Sequence, residues 1–273
     1  MIRKIAISAV SALVLTSGMA LAQDMSEPET KDVAFSFEGP FGSFDTSQLQ
    51  RGLQVYTEVC ATCHGLKFVA IGTLADVGGP HLPEAQVKAY AAAFPINDEA
   101  SNPQLLDPAT GKLRKLKPSD KFPINNTVGA PDLSLMAKAR AGFHGPMGLG
   151  ISQLFNGMGG PEHIFSILTG FTGQTKDLAG KTFYENKAFP GGWMAMPNGA
   201  LAAGAVKYAD GTENSLENEA KDAAAFLAWA AEPKLMVRKE SGFKAVFLLA
   251  MLSVLLYLTN KRLWAGIKGK KLS

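Results

Sequence analysis

Residues 60–64 have the sequence Cys-Ala-Thr-Cys-His, and Cys60 and Cys63 are the only cysteines among the 273 residues. Two thiols separated by two residues and followed directly by a histidine form the attachment signal for c-type haem. The thiols add across the two vinyl groups of the porphyrin, and the adjacent histidine reaches the iron from the same side. The motif therefore predicts one covalent haem c, bound through Cys60, Cys63 and His64.

Three other interpretations of the motif are weaker. A thioredoxin-like redox pair uses the same cysteine spacing but needs a βαβ context, which the sequence does not indicate. A zinc site needs four ligands, and the chain has no further cysteine. A chance match is disfavoured in an exported chain, where a protein of this size would more usually place its cysteines in disulfides.

Both ends of the chain differ in composition from its middle. Residues 1–22 have two early basic residues, an apolar stretch and a final Ala-Leu-Ala, which is typical of a secretory signal peptide. Residues 242–260 are mostly apolar, carry one charge at Lys244 and are just long enough to cross a bilayer, so we expect a transmembrane anchor rather than a buried core helix. Residues 261–273 hold five basic residues and no acidic one, which favours the cytoplasmic side. Residues 23–241 are then a periplasmic haem domain on the bacterial inner membrane.

This topology changes how the charge of the protein is interpreted. The whole chain has a formal charge of +3, but residues 23–241 hold all 24 acidic residues and only 19 of the 27 basic ones. Nucleic acid is not an expected partner of such an acidic domain, because phosphates would repel it. A basic protein partner suits it better, since surface potential chiefly sets the rate of encounter. We expect an acidic segment to contribute to docking, although a solubilising helix face is an equal alternative; its members are Asp210, Glu213, Glu217, Glu219 and Asp222.

Helical spacing of apolar residues predicts the principal elements. One helix is expected to be capped by Thr46 or Ser47 and to run towards Cys60, and another to begin at Pro131-Asp132 and continue to Arg140. Further helices are expected over residues 84–94, 161–168 and 215–231. Strand signals are poor, and residues 95–128 are expected to form loops. The fold class is mainly α: a c-type cytochrome haem domain with long loops that a buried cofactor would fix, plus one C-terminal transmembrane helix.

The residue on the second axial side of the iron decides between a carrier and a catalyst. A methionine closes the iron and suits electron transfer, whereas an open position would permit peroxidase-like chemistry. The loop candidates are Met147, Met158, Met194 and Met196, and the neighbouring Pro197 slightly favours the last. Met136 is better explained by core packing, and the rival histidines are His81, His144 and His163. Arg140 could pair with a haem propionate or could be an ordinary surface arginine.

Several segments together resemble the cytochrome c1 family in its α-proteobacterial form. They are residues 51–64, 130–134 with 139–142, 189–191 with 195–196, 208–212, 230–234 and 256–264, and the resemblance covers nearly all of the mature chain. The family is the haem-c subunit of the cytochrome bc1 complex, ubiquinol–cytochrome c oxidoreductase. The resemblance implies that His64 and Met196 are the iron ligands and that Cys60 and Cys63 form the thioethers. It also implies that Pro131 packs at the haem and that Arg140 meets a propionate.

The resemblance also implies partners and a role. A Rieske iron–sulfur protein would deliver electrons, cytochrome b would lie alongside the anchor in the membrane lipid, and a soluble or membrane-anchored cytochrome c would accept them, in a dimeric complex. The chain would be an electron carrier and not a catalyst on its own. Some close bacterial relatives carry a disulfide before the axial methionine. This chain has no cysteine there, so we expect another feature to stiffen that loop.

Overall fold

The computed structural model describes residues 29–140, 157 and 159–267. The predicted signal peptide, His144, Met147, Met158 and the last six residues of the basic tail lie outside the described residues. In chain order, the described helices and strands are α1 (Thr46–Glu58), α2 (Glu84–Ala93), α3 (Met136–Ala139), α4 (Gly160–Thr169), β1 (Phe171–Leu178), β2 (Lys181–Asn186), β3 (Trp193–Met194), α5 (Leu216–Ala231) and α6 (Leu235–Ala265). Short 3-10 turns occur at Cys60–Thr62, Ile71–Ala75 and Pro103–Leu105.

Helices α1 and α5 cross at the centre of the core. A Cβ atom on Gly52 would lie 2.1 Å from the carbonyl oxygen of Asp222, so only glycine allows the two helices to come this close. Around the crossing, Tyr56 packs against Phe226, and the ring of Phe226 packs against Trp229. Helix α1 begins at Asp45, whose carboxylate accepts from two backbone amides of the first turn. The prediction that Thr46 or Ser47 caps this helix was wrong.

An ion pair between half-buried Arg51 and buried Asp222 joins the same two helices. Arg51 donates from Nε to Asp222 at 2.7 Å and from Nη1 to Asp210 at 3.0 Å, and the hydrogen bond to Asp222 contributes most to raising the Arg51 pKa above its usual range. Glu219 is fully buried, and its carboxylate accepts from the backbone amide of Val206 at 2.9 Å. Glu219 and Asp222 are therefore not available to the acidic docking segment expected from the sequence, because their buried carboxylates bind groups within the fold.

The helix predicted from Pro131 is shorter than expected. Only Met136–Ala139 is α-helical, because the Asp132 carboxylate accepts from the amides of Lys67 and Ser134 and holds the preceding residues extended. The helices predicted over residues 84–94, 161–168 and 215–231 are confirmed within two residues at each end, whereas the helix that contains residues 242–260 is longer than the predicted span and covers Leu235–Ala265. Met136 packs against the core, as its apolar helix face predicted.

A small antiparallel sheet lies where the sequence predicted only irregular structure. Strand β1 pairs with β2, and β2 pairs with β3 so that Tyr184 lies opposite Met194. The β1–β2 connection is the two-residue turn Ala179-Gly180, with φ values of 51° and 76°. The fold remains mainly helical, as predicted, with this sheet added directly before Met196.

Helix α6 follows α5 after three residues and leaves the domain. It is 31 residues long, its apolar part is exposed on all sides, and its length and composition suit a membrane span. Glu232, in the connection, forms ion pairs with Lys138 and Arg238, and Lys234 pairs with Asp76 at 2.9 Å. These contacts attach the start of α6 to the helical domain.

Candidate functional site

The end of α1 places the cysteine motif at the surface of the helical core. After Val59 the chain tightens into a 3-10 turn, and the amides of Cys63 and His64 both donate to the carbonyl oxygen of Cys60, at 3.1 and 2.9 Å. Cys60 and Cys63 are free, half-buried thiols. Burial raises the pKa of the Cys60 thiol to about 12. Two thiols and an imidazole therefore share one compact turn.

The imidazole of His64 has a fixed tautomer. Its Nδ1 atom lies 2.7 Å from the carbonyl oxygen of Pro131. Since a carbonyl oxygen only accepts hydrogen bonds, Nδ1 carries a proton, and in the neutral imidazole Nε2 therefore keeps its lone pair. This is the usual arrangement of a metal-ligating histidine, in which the second nitrogen donates to a carbonyl or a carboxylate. Pro131 thus contacts the predicted ligand directly.

A second backbone segment runs beside the motif and positions His64. The amide of Leu133 donates to the carbonyl oxygen of Gly65 at 2.9 Å, and the Asp132 carboxylate accepts from the amide of Lys67, also at 2.9 Å. A Cβ atom on Gly65 would lie 2.8 Å from the carbonyl oxygen of Pro123. The residue after His64 must therefore be glycine for the segments to close around the motif.

Polar side chains behind the motif hold its carbonyl groups. Asn125 donates from Nδ2 to Ala61 and Thr62, at 3.1 and 2.9 Å, and Asn97 also donates to Ala61 at 3.1 Å. The hydroxyl of Tyr56 donates to the carbonyl oxygen of His64 at 3.1 Å. Sequence reasoning missed these residues because no spacing links them to the cysteines. Among all the residues that support the motif, only Asp132 had a recognisable signal, because an aspartate whose side chain can accept from the backbone amide two residues later is typical of a turn.

The residues present fit a covalently bound haem. The donor set supplies two thiols for the vinyl groups and one unprotonated imidazole nitrogen for the iron. Large apolar side chains are exposed in the segment after His64 and in the segment on either side of Pro131, namely Phe68, Val128 and Leu135. A porphyrin is large and mostly apolar, so it would cover such side chains and remove them from water.

Met196 lies in the non-helical segment that follows the small sheet. It follows β3 by two residues, and both it and Met194 are half-buried, so burial does not choose between them. Asn186, at the end of β2, is completely buried: its Nδ2 donates to Ile167 at 2.7 Å and its Oδ1 accepts from Ala188 at 3.0 Å. These bonds attach the chain before Met196 to α4.

Arg140 and His163 lie together at the contact of α3 with α4. Gly160 approaches the carbonyl oxygens of Ala137 and Arg140 so closely that a Cβ atom would clash with the former. Arg140 is exposed, and its charge adds to burial in lowering the pKa of the half-buried His163. His81 is exposed and has a positive φ of 50°. The propionate role of Arg140 stays a prediction.

The thiol pair, the histidine of fixed tautomer and the long apolar C-terminal helix define a membrane-anchored c-type cytochrome. A family model described as "Cytochrome C1 family" matches residues 35–267. The chain is 55% identical to "Cytochrome c1" of Cereibacter sphaeroides, covering 99% of each chain. It is 47% identical to "Cytochrome c1" of Rhodobacter capsulatus, covering 98% of this chain and 99% of the relative. It is 38% identical to "Cytochrome c1, heme protein, mitochondrial" of Saccharomyces cerevisiae, covering 87% of this chain and 73% of the relative.

The chain therefore belongs to the cytochrome c1 family, in its α-proteobacterial form. As a member it is an electron-transfer subunit of a cytochrome bc1 complex and carries one covalent haem c. The fold class and the cofactor predicted from sequence are confirmed.

Proposed function

We propose that this chain passes single electrons from a Rieske iron–sulfur protein to a cytochrome c. The haem, when bound, supplies the one-electron couple, and the protein supplies ligation, burial and docking charge. In this proposal Cys60 and Cys63 form the thioethers, because they are the chain's only thiols and lie in one turn with His64.

The observation that carries the proposal is the 2.7 Å contact between Nδ1 of His64 and the carbonyl oxygen of Pro131. It leaves Nε2 as a lone-pair donor of fixed direction, which supports His64 as the first axial ligand. Met196 is proposed as the second ligand, supported by its position in a non-helical segment that the sheet attaches to α4. A histidine–methionine pair closes the iron against small ligands and raises its reduction potential.

Two further residues are proposed to contact the haem itself. Pro131 would pack against it, which its direct contact with His64 supports. Arg140 would pair with a propionate, supported by its exposed guanidinium at the end of α3. The pairing would neutralise a charge that is otherwise costly to bury.

The proposed topology places residues 23–241 in the periplasm, the anchor at 242–260 in the inner membrane and the tail from 261 in the cytoplasm. The apolar part of α6 and the basic residues after it support this arrangement. Cytochrome b would lie beside the anchor in the lipid, and the complex would work as a dimer.

Matched methionine variants test the ligand assignment. Met196→Leu in the full-length, haem-loaded protein should lose the red charge-transfer band of a thioether-bound ferric haem, lower the reduction potential and allow carbon monoxide to bind after reduction. Met194→Leu should keep all three properties of the native protein, since Met194 belongs to β3.

The opposite pattern would move the ligand to Met194. Carbon monoxide binding by the native protein would contradict a closed carrier and favour a haem enzyme. Co-purification of a b-type haem and a Rieske signal with the native chain tests the proposed partners, and their absence from the isolated complex would contradict the proposed relay.

A further inference from the structure

A short loop before α1 carries an exposed aromatic side chain beside the membrane helix. We call residues 36–43 the Phe41 loop. Phe41 is 81% exposed at its tip, and its ring meets that of Phe243 edge to face, with centroids 5.9 Å apart. Phe243 is the first large apolar residue of the stretch that suits a membrane span. The tip of the loop is thus level with the start of the apolar part of α6.

The Phe41 loop is held rigidly at its base. The amide of Ser43 donates to the carbonyl oxygen of Ser36 at 2.9 Å and closes the loop. A Cβ atom on Gly42 would lie 1.9 Å from the carbonyl oxygen of Glu38, so the chain can fold back only through glycine. Phe37 is buried and stacks with neighbouring phenylalanines, which fixes the loop on the domain. An exposed ring on a rigid support contributes little conformational entropy cost when a partner covers it.

A lysine from α6 attaches the loop to the membrane helix. Lys239 donates from Nζ to the carbonyl oxygens of Phe37 and Gly42, at 2.6 and 2.9 Å. Lys239 precedes Phe243 by about one helical turn. The charged residues Arg238, Lys239 and Glu240 precede Phe243, and Lys244, which pairs back with Glu240, is the last charge before Lys261. The boundary between water and hydrocarbon therefore falls near Phe243.

We propose that the Phe41 loop is a second membrane contact, which inserts Phe41 among the lipid headgroups beside α6. The partner is a lipid surface, because the exposed ring is continuous with residues that themselves face lipid. Aromatic rings are favoured at this depth, where an apolar body meets a polar environment. With two contacts, the span and the loop, the domain cannot tilt freely about the start of α6. The inference rests on the proposed span and not on the iron ligands.

Site-directed spin labelling tests the proposal on the full-length, haem-loaded chain in vesicles of phosphatidylethanolamine and phosphatidylglycerol. Because the haem consumes Cys60 and Cys63, a single introduced cysteine is the only thiol available for a nitroxide label. Phe41→Cys is compared with Met251→Cys in the middle of the span and Leu178→Cys, which is 60% exposed at the β1–β2 hairpin. Collisions with oxygen report lipid, and collisions with a soluble nickel chelate report water.

The label at position 41 should collide several-fold more with oxygen, relative to nickel, than the label at 178, and should lie shallower than the label at 251. A label at 41 that is as open to nickel as the one at 178 overturns the proposal. Low collision with both reagents also overturns it, because that pattern indicates burial in protein. A water-like label at 251 would instead show that the proposed span fails.

A second variant tests whether Lys239 holds the Phe41 loop beside α6. Lys239→Met removes both hydrogen bonds that attach the loop to α6, so the label at 41 should move towards the water-like ratio. Lys244→Met is the matched control, because among the described residues Lys244 pairs with Glu240 on the surface of the same helix and not with the loop. Equal ratios for the two lysine variants would overturn the attachment by Lys239.

Discussion

Replacing Asn186 with alanine should weaken the attachment of the segment that carries Met196 without changing either proposed iron ligand. Asn186 is 0% exposed and connects the end of β2 to α4 and to the chain before Met196. The substitution leaves the carbonyl oxygen of Ile167 and the amide of Ala188 without their partner. An unsatisfied buried backbone group costs about 1–3 kcal/mol, so the local penalty for the two groups is roughly 2–6 kcal/mol.

This penalty applies to the segment that precedes Met196 more than to the helical core. Since about 1.4 kcal/mol is a factor of ten, the population with Met196 away from the iron should rise by roughly 30-fold or more. The assay is the rate and extent of carbon monoxide binding to the reduced protein, with the reduction potential measured in parallel. Asn198→Ala is the matched control, because Asn198 is an exposed asparagine in the same region.

Two results would refute this reasoning. If Asn186→Ala lowered only the unfolding temperature and left carbon monoxide binding and the potential unchanged, Asn186 would stabilise the fold without positioning the methionine. If Asn198→Ala produced the same change, the effect would belong to the surface of the loop and not to the two buried hydrogen bonds.

Three other substitutions test individual features of the fold. Gly52→Ala should destabilise the domain by about 1–3 kcal/mol despite the better helix propensity of alanine, because its Cβ would meet Asp222 at 2.1 Å; Gly242→Ala, in open space within α6, should leave the unfolding temperature unchanged or slightly raised. Ala179→Gly should relieve about 1 kcal/mol of left-handed strain, seen as slower amide exchange in β1 and β2, and faster exchange would contradict the turn. Burial, with acidic neighbours, raises the pKa of Glu162 from 4.5 to about 8. The folded state then retains a proton that the unfolded state releases, so this stability is present below pH 4.5 and lost as pH rises through 8. Glu162→Gln should flatten the decline of the unfolding temperature in that window, and an unchanged slope would refute the assignment.

The haem motif and the main helices were predictable because their signals are local. Cys60 to His64 follow from the chemistry of attachment, and α5 follows from an apolar period with Ser215 at its start and Pro233 just after its end. The hairpin was not predictable, because β1 is polar and almost wholly exposed and lacks an alternating pattern. Its turn uses Ala179-Gly180 in place of the usual asparagine-glycine signal.

The support of the site was less predictable than its ligands, because it depends on contacts between distant segments. Asn125 holds carbonyls more than sixty residues away, and no sequence period records such a pair. The helix expected from Pro131 failed for a related reason. The Asp132 side chain gains amide partners outside a helix, and this competition outweighs the helical spacing of Leu133 and Met136.

The three-residue connection between α5 and α6 has a consequence for the timing of electron transfer. Glu232 and Lys234 bind α3, α6 and Asp76 at this connection, so it has neither the length nor the freedom of a flexible linker. In the proposed topology, this connection limits how far the cysteine motif can move relative to the bilayer. A turnover step that requires a donor and an acceptor to approach this haem in succession must obtain that movement from the partner proteins. In the proposed relay, the partner proteins and not this chain would therefore set the rate of that movement.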